Sequence, residues 1–289
     1  MARVIAVAVE GALAEVVADR MWGWGVRGVA ESELGDGRVE LVTSVGDDDG
    51  AIDSALATLD AAWSREVREV DDEVAAVDPA HLAPTWYLPG MASVPAALLD
   101  LDARRRPTEV ALAGADLVTV VDPGAAFGLG DHPTTRSSMA ALARLLLDGG
   151  VVGDPPAHDR VLDVGCGTGA LAVLAAQLGA TRVRAIDVAP AAVDATRRNA
   201  ERNGVDGRIE VDATPVGELT GAWPLVVANI LAPVLIAMAP DLRRLLAPGG
   251  SLVVSGLLAE RHDHVLRALA PLAPVGSIVD EGWITIELR

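Results

Sequence analysis

Residues 161–169 read Val-Leu-Asp-Val-Gly-Cys-Gly-Thr-Gly. A short apolar run ends in three alternating glycines, Gly165, Gly167 and Gly169, and an Ala/Leu-rich helical pattern follows at once. Asp187 closes the next apolar run, Val183 to Ile186. Strand, glycine turn, helix, strand and acid in that order set a backbone that a ligand can approach beside a carboxylate that accepts hydrogen bonds from ribose hydroxyls. The combination predicts a nucleoside-containing cofactor. Gly165, Gly167 and Ala170 formally satisfy G-x-G-x-x-G/A, so a nicotinamide enzyme is one candidate. Asp163, two residues before the turn, and a third glycine at the helix start count against it.

Two other stretches carry side chains suited to chemistry. Val226-Val-Ala-Asn-Ile-Leu231 places Asn229 at the C-terminal end of a buried strand, the edge where open parallel sheets bind ligands. It sits where many amino-methylating enzymes carry Asn or Asp, and that resemblance implies that its side-chain oxygen and neighbouring backbone carbonyls orient an attacking amine. Asp122-Pro-Gly-Ala-Ala-Phe-Gly-Leu-Gly-Asp-His-Pro-Thr-Thr135 is a glycine-loosened loop that ends at a helix N-terminus. Thr134 and Thr135 are candidate caps for that helix. Phe127, the single phenylalanine, is poorly placed for a core and well placed to cover a bound cofactor. His132 reads as a residue that shapes the loop rather than as a base. His262 and His264, two apart on a polar helix, point different ways and predict no metal site. Asp47-Asp48-Asp49 lacks EF-hand spacing and reads as a solvated helix start.

The D-x-G-x-G-x-G turn resembles motif I of class I methyltransferases, which use S-adenosyl-L-methionine. Taken with the loop and V-A-N-I-L, the chain resembles the PrmA family, the methyltransferases of ribosomal protein L-eleven. The match is good from about residue 118 to 256 and looser in the N-terminal region. The resemblance implies a protein N-methyltransferase that modifies lysine side chains and/or the N-terminal α-amine of ribosomal protein L-eleven. Carried over by position, cofactor contacts fall on Thr135, Gly165, Asp187 and Asn229. Gly167 belongs to the same turn, Asp187 would bind the ribose hydroxyls, and Asp212 would lie near the adenine amino group. Asn229 is the expected catalytic residue. The family loop usually reads F-G-T-G-T-H-P-T-T, whereas Leu129 and Asp131 replace its two loop threonines here. The linker lacks the family's usual paired-tryptophan helix. These departures leave open a class I methyltransferase acting on another protein or on a small-molecule amine.

The elements that must position these residues follow from composition and periodicity. The chain has 289 residues, is 51% hydrophobic and carries a formal charge of −18, with no lysine. Such a charge repels nucleic-acid phosphates and attracts a basic protein surface. The single cysteine, Cys166, and an N-terminal apolar run too short for a signal peptide predict a cytoplasmic protein. The apolar stretch Trp223 to Met238 contains Asn229, Pro224 and Pro233, so it reads as a strand followed by a helix rather than a membrane span. Residues 1–70 predict strand, helix, two strands, helix and strand, a small α+β unit of the ferredoxin-like, split βαβ kind, which the family resemblance implies is the substrate-recognition domain. Residues 71–108, punctuated by five prolines, predict a linker with short helices. Residues 109–289 alternate strands at 117–121, 160–164, 182–187, 208–212, 224–229, 250–256, 274–279 and 283–288 with helices at 134–147, 169–179, 190–203, 231–246 and 259–270. That alternation predicts an α/β, doubly wound, Rossmann-like domain, with the last two strands as an antiparallel edge pair.

Overall fold

The computed structural model describes residues 2–22, 24, 26, 29–35, 37–46, 48–70, 84–96, 115–122, 132–147 and 159–289. The chain divides into two compact units, one holding residues 1–82 and the other nearly all of the remainder.

The first unit runs β1 (Ala2–Glu10), α1 (Ala14–Trp22), β2 (Ala30–Glu33), β3 (Arg38–Thr43), α2 (Asp49–Ala57) and β4 (Ser64–Val70). Its sheet is antiparallel, in the order β2-β3-β1-β4. β3 therefore separates β1 from β2, which is the split βαβ arrangement. Alternate residues Ile5, Val7 and Val9 of β1 join Val39 and Leu41 of β3 in a core with Val17 and Met21 of α1 and Ile52 of α2. The acidic turn is a helix start, because the Asp48 carboxylate accepts from the Ala51 N–H at 2.9 Å.

The second unit contains a three-stranded sheet, β5 (Thr85–Leu88), β6 (Met91–Pro95) and β7 (Leu117–Val121). Residues 84–96 therefore form strands where the proline spacing had predicted linker. Pro89-Gly90 is the two-residue turn of the β5–β6 hairpin, since Leu88 pairs with Met91 and Gly90 has φ of 76°. Proline followed by a positive-φ glycine is turn chemistry, and Pro95 sits at the strand's last position.

The larger sheet comprises β8 (Arg160–Val164), β9 (Arg182–Ile186), β10 (Ile209–Asp212), β11 (Trp223–Asn229), β12 (Leu246–Leu258), β13 (Pro274–Asp280) and β14 (Trp283–Leu288). Their order is β10-β9-β8-β11-β12-β14-β13, and β14 alone runs opposite to the other six. The helices are α3 (Pro133–Leu146), α4 (Ala170–Gln177), α5 (Pro190–Arg202), α6 (Ala232–Leu245) and α7 (Asp263–Leu269). β11 shows how both faces are covered. Leu225 and Val227 pack with Leu142, Leu174 and Ala200 of α3, α4 and α5, while Val226 and Ala228 pack with Leu235, Leu242 and Val265 of α6 and α7. This is the doubly wound class, and the last two strands form the expected antiparallel edge pair. α6 stops at Leu245, before Pro248-Gly249-Gly250, because Leu246 already pairs with Trp223. The chain order reverses between β8 and β11, so the crevice beyond the C-terminal ends of those strands is the topological switch point. Among the described residues no helix is long and apolar enough to cross a membrane.

Candidate active site at the switch point

The glycine turn leaves β8 at its C-terminal end. Gly165, Gly167 and Gly169 have φ of 72°, 55° and 78°, in the region that only glycine enters without strain. The turn is pinned laterally, because the Gly165 and Cys166 N–H groups donate to the Ile186 carbonyl at 2.8 and 3.1 Å. The room left by the missing side chains is used by the protein itself. A Cβ on Gly165 would stand 2.4 Å from Ile230 Cγ2, and one on Gly169 would stand 2.7 Å from Thr196 Cγ2. At these two positions the space left by the missing side chains is occupied by Ile230 and Thr196. Thr196 also donates to Cys166 Sγ at 3.2 Å and to the Gly167 carbonyl at 3.1 Å, so α5 holds the turn from below.

Asp187 follows β9 and is fixed by two backbone donors. Gly167 N–H reaches one carboxylate oxygen at 3.0 Å and Ala189 N–H the other at 2.9 Å. Each oxygen keeps a second lone pair, so the carboxylate is held in place and still accepts. Val188, immediately after it, is 76% exposed, an apolar side chain presented beside the acid. Asp163 is the opposite case. It is buried, and no side chain reaches its carboxylate; the backbone N–H of Ala172 is the group that lowers its pKa. Burial first, and the charge of Asp187 second, push its carboxyl up to about 7.

Asp212 ends β10, and the Asp187 N–H donates to its carbonyl at 3.2 Å. Its side chain is committed elsewhere. The Thr214 hydroxyl and N–H and the Arg184 guanidinium hold its carboxyl below the usual carboxylate range.

Asn229 ends β11, and its Nδ2 donates to Thr135 Oγ1 at 3.5 Å across 94 residues of sequence. Two residues predicted from separate motifs thus meet, and Asn229 Oδ1 remains an acceptor. Ile230 is gripped on both sides. Its side chain fills the space at Gly165, and its carbonyl lies 2.6 Å from where a Cβ on Gly256 would stand. The glycine turn and the Val-Ala-Asn-Ile-Leu strand end are therefore one packed unit. The cap of α3 is His132 and not a threonine, because its Nδ1 accepts from the Thr134 N–H at 3.3 Å and contacts Thr134 Oγ1 at 2.8 Å. Threonines one and two residues inside the helix lie past the cap position, which corrects that expectation. Phe127, Leu129 and Asp131 lie outside the described residues.

Sequence reasoning missed Asn199. This fully buried amide donates to the Asp122 and Thr168 carbonyls, each at 2.9 Å, and accepts from the Asp122 N–H at 2.8 Å. It ties the end of β7 to the glycine turn. The available signal was Asn199 and Asn203, one helical turn apart on α5, both too polar for a face that has to pack.

The set fits a cationic nucleoside: an anchored carboxylate for ribose hydroxyls, an exposed valine beside it, and a buried carboxylate that no side chain pairs with. The chain spans about half the length of the curated relatives it matches. It is 42% identical to a ribosomal protein L11 methyltransferase of Citrifermentans bemidjiense over 60% of this chain and 56% of that one. It is 47% identical to that of Geobacter metallireducens over 52% and 46%. Among solved structures, the ribosomal protein L11 methylase of Lactobacillus delbrueckii subsp. bulgaricus superposes with a TM-score of 0.58 at 27% identity, covering 72% of this chain and 98% of that one. The family model described as ribosomal protein L11 methyltransferase (PrmA) matches residues 104–289, well over half of the sequence, and to that family the chain belongs.

Proposed function

We propose that this chain is an S-adenosyl-L-methionine-dependent protein N-methyltransferase that acts on amino groups of ribosomal protein L11, on lysine side chains and/or the N-terminal α-amine. The observation that carries the reading is the meeting of Asn229 with Thr135 beside the glycine turn and the anchored Asp187. When bound, the sulfonium cofactor supplies a methyl group whose bond to sulfur breaks as the amine nitrogen bonds to its carbon. The protein's part is alignment and a site that accepts an unprotonated amine.

Asp187 would take the ribose hydroxyls, and the exposed Val188 beside it would offer an apolar contact to the bound cofactor. Asp163 balances positive charge on the amino-acid end. Asn229 Oδ1 accepts from the incoming amine and points its lone pair, while Thr135 holds the Asn229 carboxamide by its other end. A lysine amine has an ordinary pKa near 10.4, so most of it arrives protonated. In this reading the proton leaves to water, because the side chain that meets Asn229 is the Thr135 hydroxyl, which is no base at neutral pH. Residues 1–70 are the substrate-recognition domain of this reading and residues 109–289 the methyltransferase domain. The acidic first unit matches a basic ribosomal protein and opposes direct contact with nucleic acid.

The test is transfer of radiolabelled methyl groups from S-adenosyl-L-methionine to purified ribosomal proteins, resolved by mass. Label on L11 alone supports the reading. Cofactor binding without label on L11 would redirect the assignment to another protein or a small amine.

A further inference from the structure

The hairpin turn between β13 and β14 is Glu281-Gly282, with φ of 47° and 82°. Two-residue turns with both angles positive favour Asn-Gly, and Glu281 is the one non-glycine residue with positive φ among the described residues. Its side chain is mostly exposed, and ion pairs made by exposed side chains stabilise little. The strain at Glu281 is therefore not explained by stability.

What Glu281 touches is Arg136, in the first turn of α3. The Arg136 guanidinium spans two carboxylates, pairing with Asp280 through Nε and through Nη2 at 2.7 Å, and with Glu281 at 2.7 Å. Two further links join the hairpin to the same helical turn. Trp283 meets the His132 ring edge-on with centroids 5.3 Å apart. Thr285 Oγ1 lies 2.7 Å from both Ser137 Oγ and Ser255 Oγ, in a buried chain of hydroxyls. Thr135, the partner of Asn229, sits within this braced turn, one residue before Arg136.

We propose that the β13–β14 hairpin is a brace whose clamp is Arg136 between Asp280 and Glu281. Arg136 is a positioning residue: it sets the first turn of α3, through it the Thr135 hydroxyl, and through that the Asn229 carboxamide that orients the amine. The effect on turnover rests on the functional reading above, whereas the effect on Asn229 does not.

Glu281→Asn is the informative variant, because asparagine suits the left-handed position and cannot form the ion pair. Arg136→Ala removes the clamp, and Arg136→Lys keeps the charge without the fork. In the full chain, unfolding midpoint, S-adenosylhomocysteine affinity, kcat and KM on L11, and the side-chain amide NMR signals of Asn229 are measured. Glu281→Asn is expected to keep or raise the unfolding midpoint and to leave cofactor affinity within about twofold. Its kcat is expected to fall about tenfold, the order set by small misplacements of a positioned group. Arg136→Ala is expected to match it and Arg136→Lys to recover part of the loss. In all three the Asn229 amide signals should shift. Stable variants with unmoved Asn229 signals would overturn the brace, as would a kcat that falls only in proportion to stability. If the wild-type chain labels nothing, the functional reading fails on its own, and the Asn229 signals still decide the brace.

Discussion

Gly165→Ala separates a glycine kept for a ligand from a glycine kept for packing. The new Cβ would stand 2.4 Å from Ile230 Cγ2, whereas carbon atoms rest about 3.5–4.0 Å apart. Ile230 has to yield by more than 1 Å, and it is poorly able to do so. It is β-branched, and its carbonyl is pressed against Gly256. Two costs add. A side chain at φ of 72° costs about 1–2 kcal/mol, and overpacking at a fixed neighbour costs about 1–3 kcal/mol. A total near 3 kcal/mol is expected. Ile230→Ala removes the atom that is struck and leaves the backbone cost, so Gly165→Ala in that background should cost only about 1–2 kcal/mol. The coupling between the two positions should then be at least ~1 kcal/mol. Urea unfolding of the two single variants and the double variant measures it. An equal cost in both backgrounds would refute the packing assignment. A Gly165→Ala protein that keeps its stability but no longer binds S-adenosylhomocysteine would restore the ligand-approach explanation.

The remaining predictions concern the acids, the amides and the cap. Asp163 has a folded pKa of about 7 against an ordinary 3.8, so the native state holds its proton more tightly than the unfolded chain. Its contribution to stability is therefore full below about pH 4 and is lost as pH rises to about 7, by at most ~4 kcal/mol at about 1.4 per unit. Asp163→Asn should flatten the urea midpoint across that window, and an unchanged slope would show that Asp163 does not titrate there. A cation bound against Asp163 releases its proton, so cofactor affinity in the wild type should strengthen with pH up to about 7 and level off above it. Asn229→Ala should lower kcat by roughly 100-fold while costing under about 1 kcal/mol of stability, since among the described residues its side chain makes one long hydrogen bond; methylation at the wild-type rate would sink its role. Asn199→Ala removes three hydrogen bonds made by a fully buried amide and should cost about 3 kcal/mol, which thermal unfolding would register. His132→Ala should cost about 1 kcal/mol as a lost cap, with cofactor affinity unmoved.

What was legible in the sequence was whatever depends on local period and local backbone chemistry. Alternation in residues 2–10 and buried runs at 160–164, 182–187 and 224–229 fall on β1, β8, β9 and β11. Three positive-φ glycines mark a turn that no other residue type makes cheaply. Asn229 and Thr135 were legible separately, as a strand end and a helix start. Proline density misled at residues 84–96, because Pro89 and Pro95 occupy a turn and a strand end, where a missing N–H costs nothing. Ile230 and Thr196 were invisible because sequence reports that a glycine is present but not what leans into the space it leaves.

The two strand-end acids show where such reading stops. Asp187 and Asp212 both close apolar runs, and along the chain they look alike. Their surroundings differ laterally. Asp187 meets backbone N–H donors from the glycine turn and from Ala189, which orient a carboxylate without neutralising it. Asp212 meets Arg184, which reaches it from the adjacent strand and pairs with Glu210 as well. A guanidinium supplies full positive charge, so a carboxylate it holds has less to offer an adenine amino group than one held by neutral amides. The register of β9 against β10 brings Arg184 beside Glu210, and register is a property of the folded sheet. The same lateral logic makes Asp163 unusual: its strand neighbours are Ala185 and Val227, neither of which can donate from a side chain. An acid with no side-chain donor beside it in the middle of a sheet is costly to ionise, so it keeps its proton to about pH 7, and a cation bound there would displace that proton.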